Sequence, residues 1–412
     1  MSKTITLLAG GTRGDVQPYV ALGIGLRDAG YRVRVAAHDA FASLVSVWGF
    51  EFVSLGENPS DLFYRAEHLD ALRGGKNPLD SLRASFAYWR AARPVYAELV
   101  QNAWRATQGS DALLFGLPTF WAGALANALQ IPGIAAFMQP LTPTRAFPCP
   151  LLPFSKSLGA IGNRLSYAVC FALMHWAWRD ALRAWRKNFH IARDTASPRT
   201  APTLYAFSEQ LVPRPNDYPA SHKIVGFWFL PERAWTPSAE LESFLRAGDA
   251  PIYVGFGSAQ TGEVNRLRAL LRDTQRATGL RFLIQRALAD ENLPRAAFCA
   301  VGDVPHAWLF PRVRAVIHHG GAGTTAAAAR AGIPQLAVPM YLDSHFWGAR
   351  VYACGMSPRP LPETKLSSGA LTDALEQILA DKSMRTRAQT IASAMSRQDG
   401  VTSAVEHLRN LI

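Results

Sequence analysis

Short apolar runs alternate with longer segments of helical period along most of this chain. In the first half the runs are Ile5–Ala9, Val33–Ala37, Phe52–Val53, Ala112–Phe115 and Ile134–Phe137, with helices expected over Pro18–Ala29 and Thr119–Leu129. The second half repeats the scheme with runs at Ile252–Phe256, Arg281–Ile284, Ala315–His318 and Gln335–Val338, and helices over Val264–Thr278 and Gly323–Arg330. Runs that are apolar throughout belong to strands covered on both faces, and strand–helix alternation builds parallel sheets. The fold class is therefore α/β, with two doubly wound, Rossmann-like domains facing across a cleft. A turn-rich stretch holding Pro213, Pro215, Pro219, Pro231 and Pro237 separates them. The expected division is a first domain over 1–225, a linker over 226–240, a second domain over 241–385, and a helical segment over 386–412 that packs back on the first.

Composition narrows the class. With 412 residues, 49% hydrophobic and 18% charged, the chain suits two globular cores. Residues 112–144 carry no charge and are numerous enough to span a bilayer, yet Gly116, Pro118, Asn127, Pro132 and Gln139 break them up. They parse as strand, helix and strand inside a sheet. Cys149, Cys170, Cys299 and Cys354 lack metal-ligand or disulfide-framework spacing and read as buried thiols in a reducing compartment. No basic leader precedes the first strand, so a cytoplasmic location is expected. The net charge of +12 comes mostly from scattered arginines rather than from a basic tract, which argues against nucleic acid. It suits an anionic small substrate or a negatively charged membrane surface. Tyr167 to Arg193 interleave Trp176, Trp178, Trp185 and Phe189 with Arg179, Arg183, Arg186 and Lys187. That pattern is an amphipathic helix, either packed on the first domain or in peripheral contact with a membrane.

Two turns carry chemistry. Ala315-Val-Ile-His-His-Gly-Gly-Ala-Gly-Thr-Thr325 is a strand, a glycine turn and a helix start. Unpaired N–H groups and about half a positive charge at a helix N-terminus attract phosphate, and glycine lets the main chain come close. The same residues contain Gly321-Ala-Gly-Thr-Thr-Ala326, a dinucleotide-type fingerprint with Asp343 at the distance of a ribose-binding acid. Against a dinucleotide, Asp343 falls on a loop beyond the next strand. His318 is read as a core histidine and His306 as the start of a short helix; His38 follows the second strand. The second turn, Gly10-Gly-Thr-Arg-Gly-Asp15, leaves the first strand and puts Asp15 near a helix N-terminus. There an acid either caps the helix or acts as a general base towards a substrate hydroxyl.

Taken with Val254-Gly-Phe-Gly-Ser258, Gly302-Asp-Val-Pro-His306 and Pro339–Gly348, these motifs stand in one order along nearly the whole chain. The chain resembles the nucleotide-sugar-dependent glycosyltransferases of family 1, with the GT-B fold. It is most similar to the branch of sterol glucosyltransferases and bacterial enzymes that glycosylate antibiotic aglycones. The resemblance implies an acceptor-binding first half and a donor-binding second half. It implies Asp15 as the base and His319 at the donor pyrophosphate, with the backbone of Gly321, Gly323 and Thr324 completing the cradle. Ser258 would add a phosphate contact, Val304 would pair with the nucleotide base through its backbone, and Asp343 would hold sugar hydroxyls. Gly11, Thr12, Arg13, Gly14 and Ser344 are expected among the donor-binding residues as well. Where the family commonly has Asp-Gln, this chain has Asp343-Ser344, so the sugar contacts differ there.

The implied reaction is an inverting transfer of a hexose to a lipophilic alcohol or phenol such as a sterol, carotenoid, polyketide or flavonoid. The donor is a UDP-sugar, UDP-glucose first, or a dTDP-sugar. No cofactor is expected, and with no Asp-x-Asp pair and no ligand-spaced cluster, no metal. A monomer or weak dimer is expected. The alternatives are a dTDP-deoxysugar transferase, an NDP-sugar epimerase, an NAD-dependent oxidoreductase, and a non-catalytic nucleotide-sugar or lipid-binding protein.

Overall fold

The computed structural model describes residues 2–59, 78–154, 156–191, 201–257, 264–340 and 342–412, with the backbone alone described over 78–89. Among the described residues, twelve strands form two parallel sheets. The first contains β1 (Thr4–Ala9), β2 (Arg32–Ala37), β3 (Glu51–Ser54), β4 (Ala112–Phe115), β5 (Gly133–Phe137), β6 (Thr203–Tyr205) and β7 (His222–Ile224), in the order β3-β2-β1-β4-β5-β6-β7. The second contains β8 (Ile252–Gly255), β9 (Phe282–Gln285), β10 (Phe298–Val301), β11 (Ala315–His318) and β12 (Gln335–Ala337), in the order β10-β9-β8-β11-β12. Every residue of β1, β4, β8 and β11 is buried. Both faces of each sheet are covered by helices, which is why these strands read as unbroken apolar runs.

Around the first sheet lie α1 (Arg13–Asp28), α2 (Ala42–Ser46), α3 (Pro78–Ala106), α4 (Gly123–Ala128) and α5 (Gly159–Asn188). The second carries α6 (Ala239–Arg246), α7 (Val264–Thr278), α8 (His306–Leu309), α9 (Ala322–Arg330), α10 (Ser344–Ala353), α11 (Ser368–Ala380), α12 (Lys382–Met395) and α13 (Gly400–Arg409). The last helix crosses back. Val405 and Leu408 of α13 enter the core formed by β1, β2 and α1. A Cβ on Gly25 of α1 would lie 2.4 Å from the Val401 side chain, so the two helices touch through glycine. The crossing falls after Met395 rather than at 386, because α12 still packs on α9. The connection after β7 is held firmly: Trp228 is buried against Tyr19 and its indole N–H donates to the Gly400 carbonyl at 3.0 Å.

Two sequence expectations are corrected here, and the packing of α5 on the first domain is seen. The first helix begins at Arg13 instead of Pro18, with the proline inside it. The helix expected over 119–129 is a 3-10 turn over Leu117–Ala122 followed by α4, broken where the Thr119 hydroxyl donates to the Leu8 carbonyl at 3.0 Å. The aromatic face of α5 is largely covered. Trp178 stacks on Tyr96 at 4.1 Å and Trp185 meets Trp104 at 5.4 Å, both across the α3–α5 contact. Among the described residues no helix is long and apolar enough to cross a membrane. All four cysteines are unpaired thiols, three of them buried.

An apolar cluster joins the two halves, with Tyr205, Phe207 and Leu211 from one side and Phe346, Trp347 and Met356 from the other. It fixes how the carboxyl ends of the two sheets face each other.

Candidate active site

In a doubly wound sheet, ligands gather outside the carboxyl ends of the strands where the strand order reverses. Here the order reverses between β1 and β4 and between β8 and β11. The Gly10–Asp15 turn leaves β1 beside the β4 exit. The Gly257 turn leaves β8 beside the His319–Gly321 turn that leaves β11. Both chemical motifs of the sequence therefore stand at switch points.

Asp15 is the third residue of α1 and closes a capping box with Thr12. The Thr12 N–H donates to Asp15 Oδ2 at 2.8 Å, and the Thr12 hydroxyl donates to the same oxygen at 3.0 Å. Capping thus occupies one carboxylate oxygen and leaves Oδ1 for another partner, so the capping and general-base readings are compatible. Burial raises the Asp15 carboxyl to about 6 against the pull of the Thr12 bonds, and the nearby charge of Asp343 adds to the rise. Gly11, at φ +106°, is required beside it, because a Cβ would fall 2.5 Å from Asp15 Oδ2. Gly14 is exposed on the same turn. The crevice at Asp15 is narrow and is lined by Gly10, Asp15, Tyr19, Pro118, Met138 and Gln139.

Asp343 comes from the other half, at the loop end just before α10. Its Oδ2 accepts from the Gln139 amide at 3.0 Å and from the Trp347 indole N–H at 3.1 Å. Burial raises its carboxyl, opposed by these two bonds. Gln139, which the motifs did not single out, therefore joins the crevice of Asp15 to the carboxylate of Asp343. A hint existed in the sequence: it lies two residues beyond the end of β5, on the rim where ligands collect.

His319 stands between two glycine turns. A Cβ on Gly257 would lie 3.0 Å from its ring, and one on Gly321 would lie 2.3 Å away. Gly321 caps α9, so the N–H groups of the first turn, Gly323 and Thr324 among them, lack intrahelical acceptors. The surroundings of Gly323 are open, with nothing within 4 Å of a notional Cβ. Burial lowers His319 to about 4, so the ring is neutral near pH 7 and donates from one nitrogen only. Its Nδ1 is buried without a hydrogen-bond partner among the described residues.

The remaining candidates separate clearly. His318 is fully buried, its Nε2 2.8 Å from the Gln335 side-chain oxygen and its Nδ1 accepting from the Gly320 N–H at 3.1 Å. It is a core residue, lowered to about 3 by burial. His306 begins α8 and stacks on Phe310 at 4.3 Å. His38 is buried with its Nδ1 3.2 Å from the Gly56 carbonyl. The Val304 N–H already donates to the Gly302 carbonyl at 3.1 Å, which leaves its carbonyl as the group suited to a base edge. Ser344 is buried, and its hydroxyl accepts from the Met340 N–H at 3.2 Å, so that oxygen serves the loop. Arg13 reaches across the mouth to Asp303 at 2.7 Å. Ser258 lies outside the described residues. Among the described residues no group of three His, Cys, Asp or Glu side chains is placed to hold a metal ion.

Residues 5–148 match the glycosyltransferase family 28 N-terminal domain, and residues 285–411 match the erythromycin biosynthesis protein CIII-like C-terminal domain. The O-mycaminosyltylonolide 6-deoxyallosyltransferase of Streptomyces fradiae is 33% identical over 414 residues, which covers 97% of this chain and 95% of that protein. The chain belongs to the GT-B glycosyltransferases. A sterol 3-beta-glucosyltransferase of Arabidopsis thaliana is 36% identical over 415 residues, 98% of this chain and 64% of that one. The chain thus spans just under two thirds of that plant relative, and 26% of the sterol 3-beta-glucosyltransferase of Debaryomyces hansenii. Among solved structures, the glycotransferase of kitacinnamycin superposes with a TM-score of 0.71 at 16% identity, covering 100% of this chain and 99% of that one. The glycosyltransferase VinC, solved in complex with dTDP, superposes with a TM-score of 0.66 at 20% identity, covering 99% of each chain.

Proposed function

We propose that this glycosyltransferase moves a hexose from a nucleotide sugar to a hydroxyl of a lipophilic acceptor in one inverting displacement. Residues 1–225 hold the acceptor and residues 241–385 the donor. Asp15 Oδ1 takes the acceptor proton as the acceptor oxygen attacks the anomeric carbon; the bond from that carbon to the diphosphate breaks, and the nucleoside diphosphate leaves. The observation that carries this reading is the meeting of Asp15 with the Gln139–Asp343 pair at one crevice, which puts a raised carboxyl of the acceptor half against a carboxylate of the donor half.

The leaving diphosphate is received by the open N-terminus of α9 and by a neutral His319, whose ring N–H donates to it. Fixed dipoles aimed at developing charge are the largest single source of stabilisation in such steps. We infer that this arrangement serves without a metal ion, so transfer persists in excess chelator. Asp343 holds sugar hydroxyls, steadied by Gln139 and Trp347.

UDP-glucose is the first choice of donor, in line with the sterol glucosyltransferase relatives. A dTDP-deoxysugar is the second reading, favoured by the 6-deoxyallosyltransferase relative and by the dTDP bound to VinC. A donor-by-acceptor panel read by mass spectrometry, with sterol, polyketide and flavonoid acceptors, decides among them. Glycosylated product from no nucleotide sugar, or full transfer by Asp15→Asn, overturns the reading.

A further inference from the structure

The exposed large apolar side chains of the described residues concentrate on one face of one helix. Leu158, Ile161, Leu165, Val169, Leu173 and Trp176 recur every three or four residues at the start and along the first half of α5. Ile161 is 85% exposed, Leu165 59% and Leu173 60%. At 1.5 Å per residue the stripe runs for about 27 Å. Towards the carboxyl end the same face turns cationic, with exposed Arg179, Arg183 and Lys187 in the corresponding positions, and Arg164 and Lys156 flank the apolar part. Asp180 is the one acid of α5, and it is occupied by Arg93 at 2.9 Å while Arg179 and Arg183 also lie within 4 Å.

The opposite face of α5 explains why this stripe is not leftover core. Ala181 and Trp185 pack against α3, and Tyr167 and Cys170 cluster with Cys149. The helix already has its partners on that side. Nor does the stripe belong to the crevice, since none of the residues lining the space beside Asp15 comes from α5.

We propose that this face of α5 docks the protein on an anionic membrane surface. The apolar stripe enters the boundary between headgroups and acyl chains while Arg164, Arg179, Arg183 and Lys187 meet acidic headgroups. A helix that lies in an interface needs this pairing of a broad apolar face with cationic flanks. Charge complementarity selects the occupant, because a segment with five cations (Arg164, Arg179, Arg183, Arg186 and Lys187) against one engaged acid fits an acidic surface. The surface does not depend on the transfer reading.

The test is flotation of the full chain with vesicles of phosphatidylcholine alone and with about a third phosphatidylglycerol. The protein is expected to float with the anionic vesicles, and to release as salt is raised. Leu165→Glu/Leu173→Glu is expected to lower vesicle binding at least tenfold, and Arg164→Gln/Lys187→Gln about fivefold per charge removed. Both pairs are exposed, so an unchanged thermal midpoint accompanies these losses. Wild-type protein that stays at the bottom of the gradient overturns the proposal, as do variants that float equally well. So does a wild-type dimer that the glutamates split while flotation is unchanged, which makes the stripe a contact between copies. A rise in KM for a water-soluble acceptor without lipid, again with unchanged flotation, makes it an acceptor wall and also overturns it.

Discussion

The Gln139 amide donates to Asp343 Oδ2 at 3.0 Å, so a residue just past β5 holds a carboxylate that sits between β12 and α10. This is a bond between the two halves made inside the crevice, with Trp347 supplying the second donor to the same oxygen. Removing the amide leaves a buried carboxylate one donor short. Gln139→Leu is expected to raise the donor KM about tenfold, the equivalent of a lost charge-assisted hydrogen bond of about 1.5 kcal/mol. Gln139→Glu sets a second carboxylate against Asp343 and loses more. Steady-state kinetics with the donor varied check this; an unchanged KM in both variants removes Gln139 from the donor site.

As the proposed base, Asp15 should set the pH dependence. A general base works only when ionised, and burial holds this carboxyl at about 6. The rate therefore rises with pH through an acid limb near 6, and kcat/KM at pH 5 is expected at about a tenth of its plateau. Asp15→Asn should cost about 10²- to 10⁴-fold and abolish that limb. The same substitution bears on stability in the opposite sense. The folded value lies above the ordinary 3.8, so ionising Asp15 opposes folding: there is no penalty below pH 3.8, a growing one between 3.8 and 6, and the full one above. Asp15→Asn is expected to gain about 1–2 kcal/mol at pH 8 and nothing at pH 3.5, read by chemical denaturation at the two values. A loss of stability at pH 8 contradicts the buried-base account.

Two glycines of one turn should respond oppositely to alanine. Gly320 has φ +85°, and a Cβ would lie 2.7 Å from the Ser344 carbonyl oxygen, a backbone atom that cannot swing aside. Gly320→Ala is expected to lose about 2 kcal/mol or more and to shift Ser344 with its neighbour Asp343. Gly323 has open space and lies in the first turn of α9. Gly323→Ala should leave the fold intact or gain about 0.5 kcal/mol from helix propensity. Its effect falls on donor binding, because the added methyl stands where a phosphate would approach. Thermal melts beside donor titrations separate the two; equal donor affinity for Gly323→Ala and wild type places the phosphate elsewhere.

The reach of sequence reasoning follows from where each signal is local. Ala112–Phe115 and Ala315–His318 agree with the structure to the residue, and the helix read over 264–278 ends at Thr278 as expected, since each is an apolar or amphipathic run. The strands Thr203–Tyr205 and His222–Ile224 have three residues each, too few for a period to show, and Phe298–Val301 was missed beside them. Pro18 drew the expected start of the first helix towards itself because proline favours a first turn, yet Thr12 and Asp15 had already capped the helix upstream. Asp15 and His319 stood out because glycine turns at strand exits mark switch points, and Asp343 because of its spacing from the glycine run and its place in the motif that carries the resemblance. Gln139 had only its place past a strand end to mark it, since its partner lies 204 positions away. The exposed face of α5 was not legible for a similar reason. Tryptophan and arginine drew attention to its second half, and only packing on α3 shows that much of that aromatic surface is covered and that the aliphatic first half is open.

The return of the chain to the first domain rests on a backbone contact. Gly400 begins α13 beside the connection after β7, and a Cβ there would lie 2.5 Å from both the Gly226 and Phe227 carbonyl oxygens. Its own carbonyl accepts the Trp228 indole N–H. Gly400→Ala must therefore push α13 away from α1 or break that bond, and is expected to cost about 2–3 kcal/mol. A denaturation midpoint equal to wild type argues against this close approach.

Arg13 and Asp303 close the mouth of the cleft at 2.7 Å, but both side chains are largely in water. Exposed ion pairs contribute about 0–1 kcal/mol, so Asp303→Asn should leave stability almost unchanged. The position of the pair matters more than its strength. Arg13 is two residues before Asp15, and Asp303 directly precedes Val304, so the pair bridges the base-bearing turn and the turn assigned to the nucleotide base. A nucleotide entering there must pass it. Asp303→Asn is expected to speed donor association and dissociation together, leaving the equilibrium affinity within about twofold, whereas high salt should mimic the variant in wild type and have little further effect in the variant. Stopped-flow binding of the nucleoside diphosphate at two ionic strengths checks this, and identical salt dependence in both proteins shows that the pair has no part in gating the cleft.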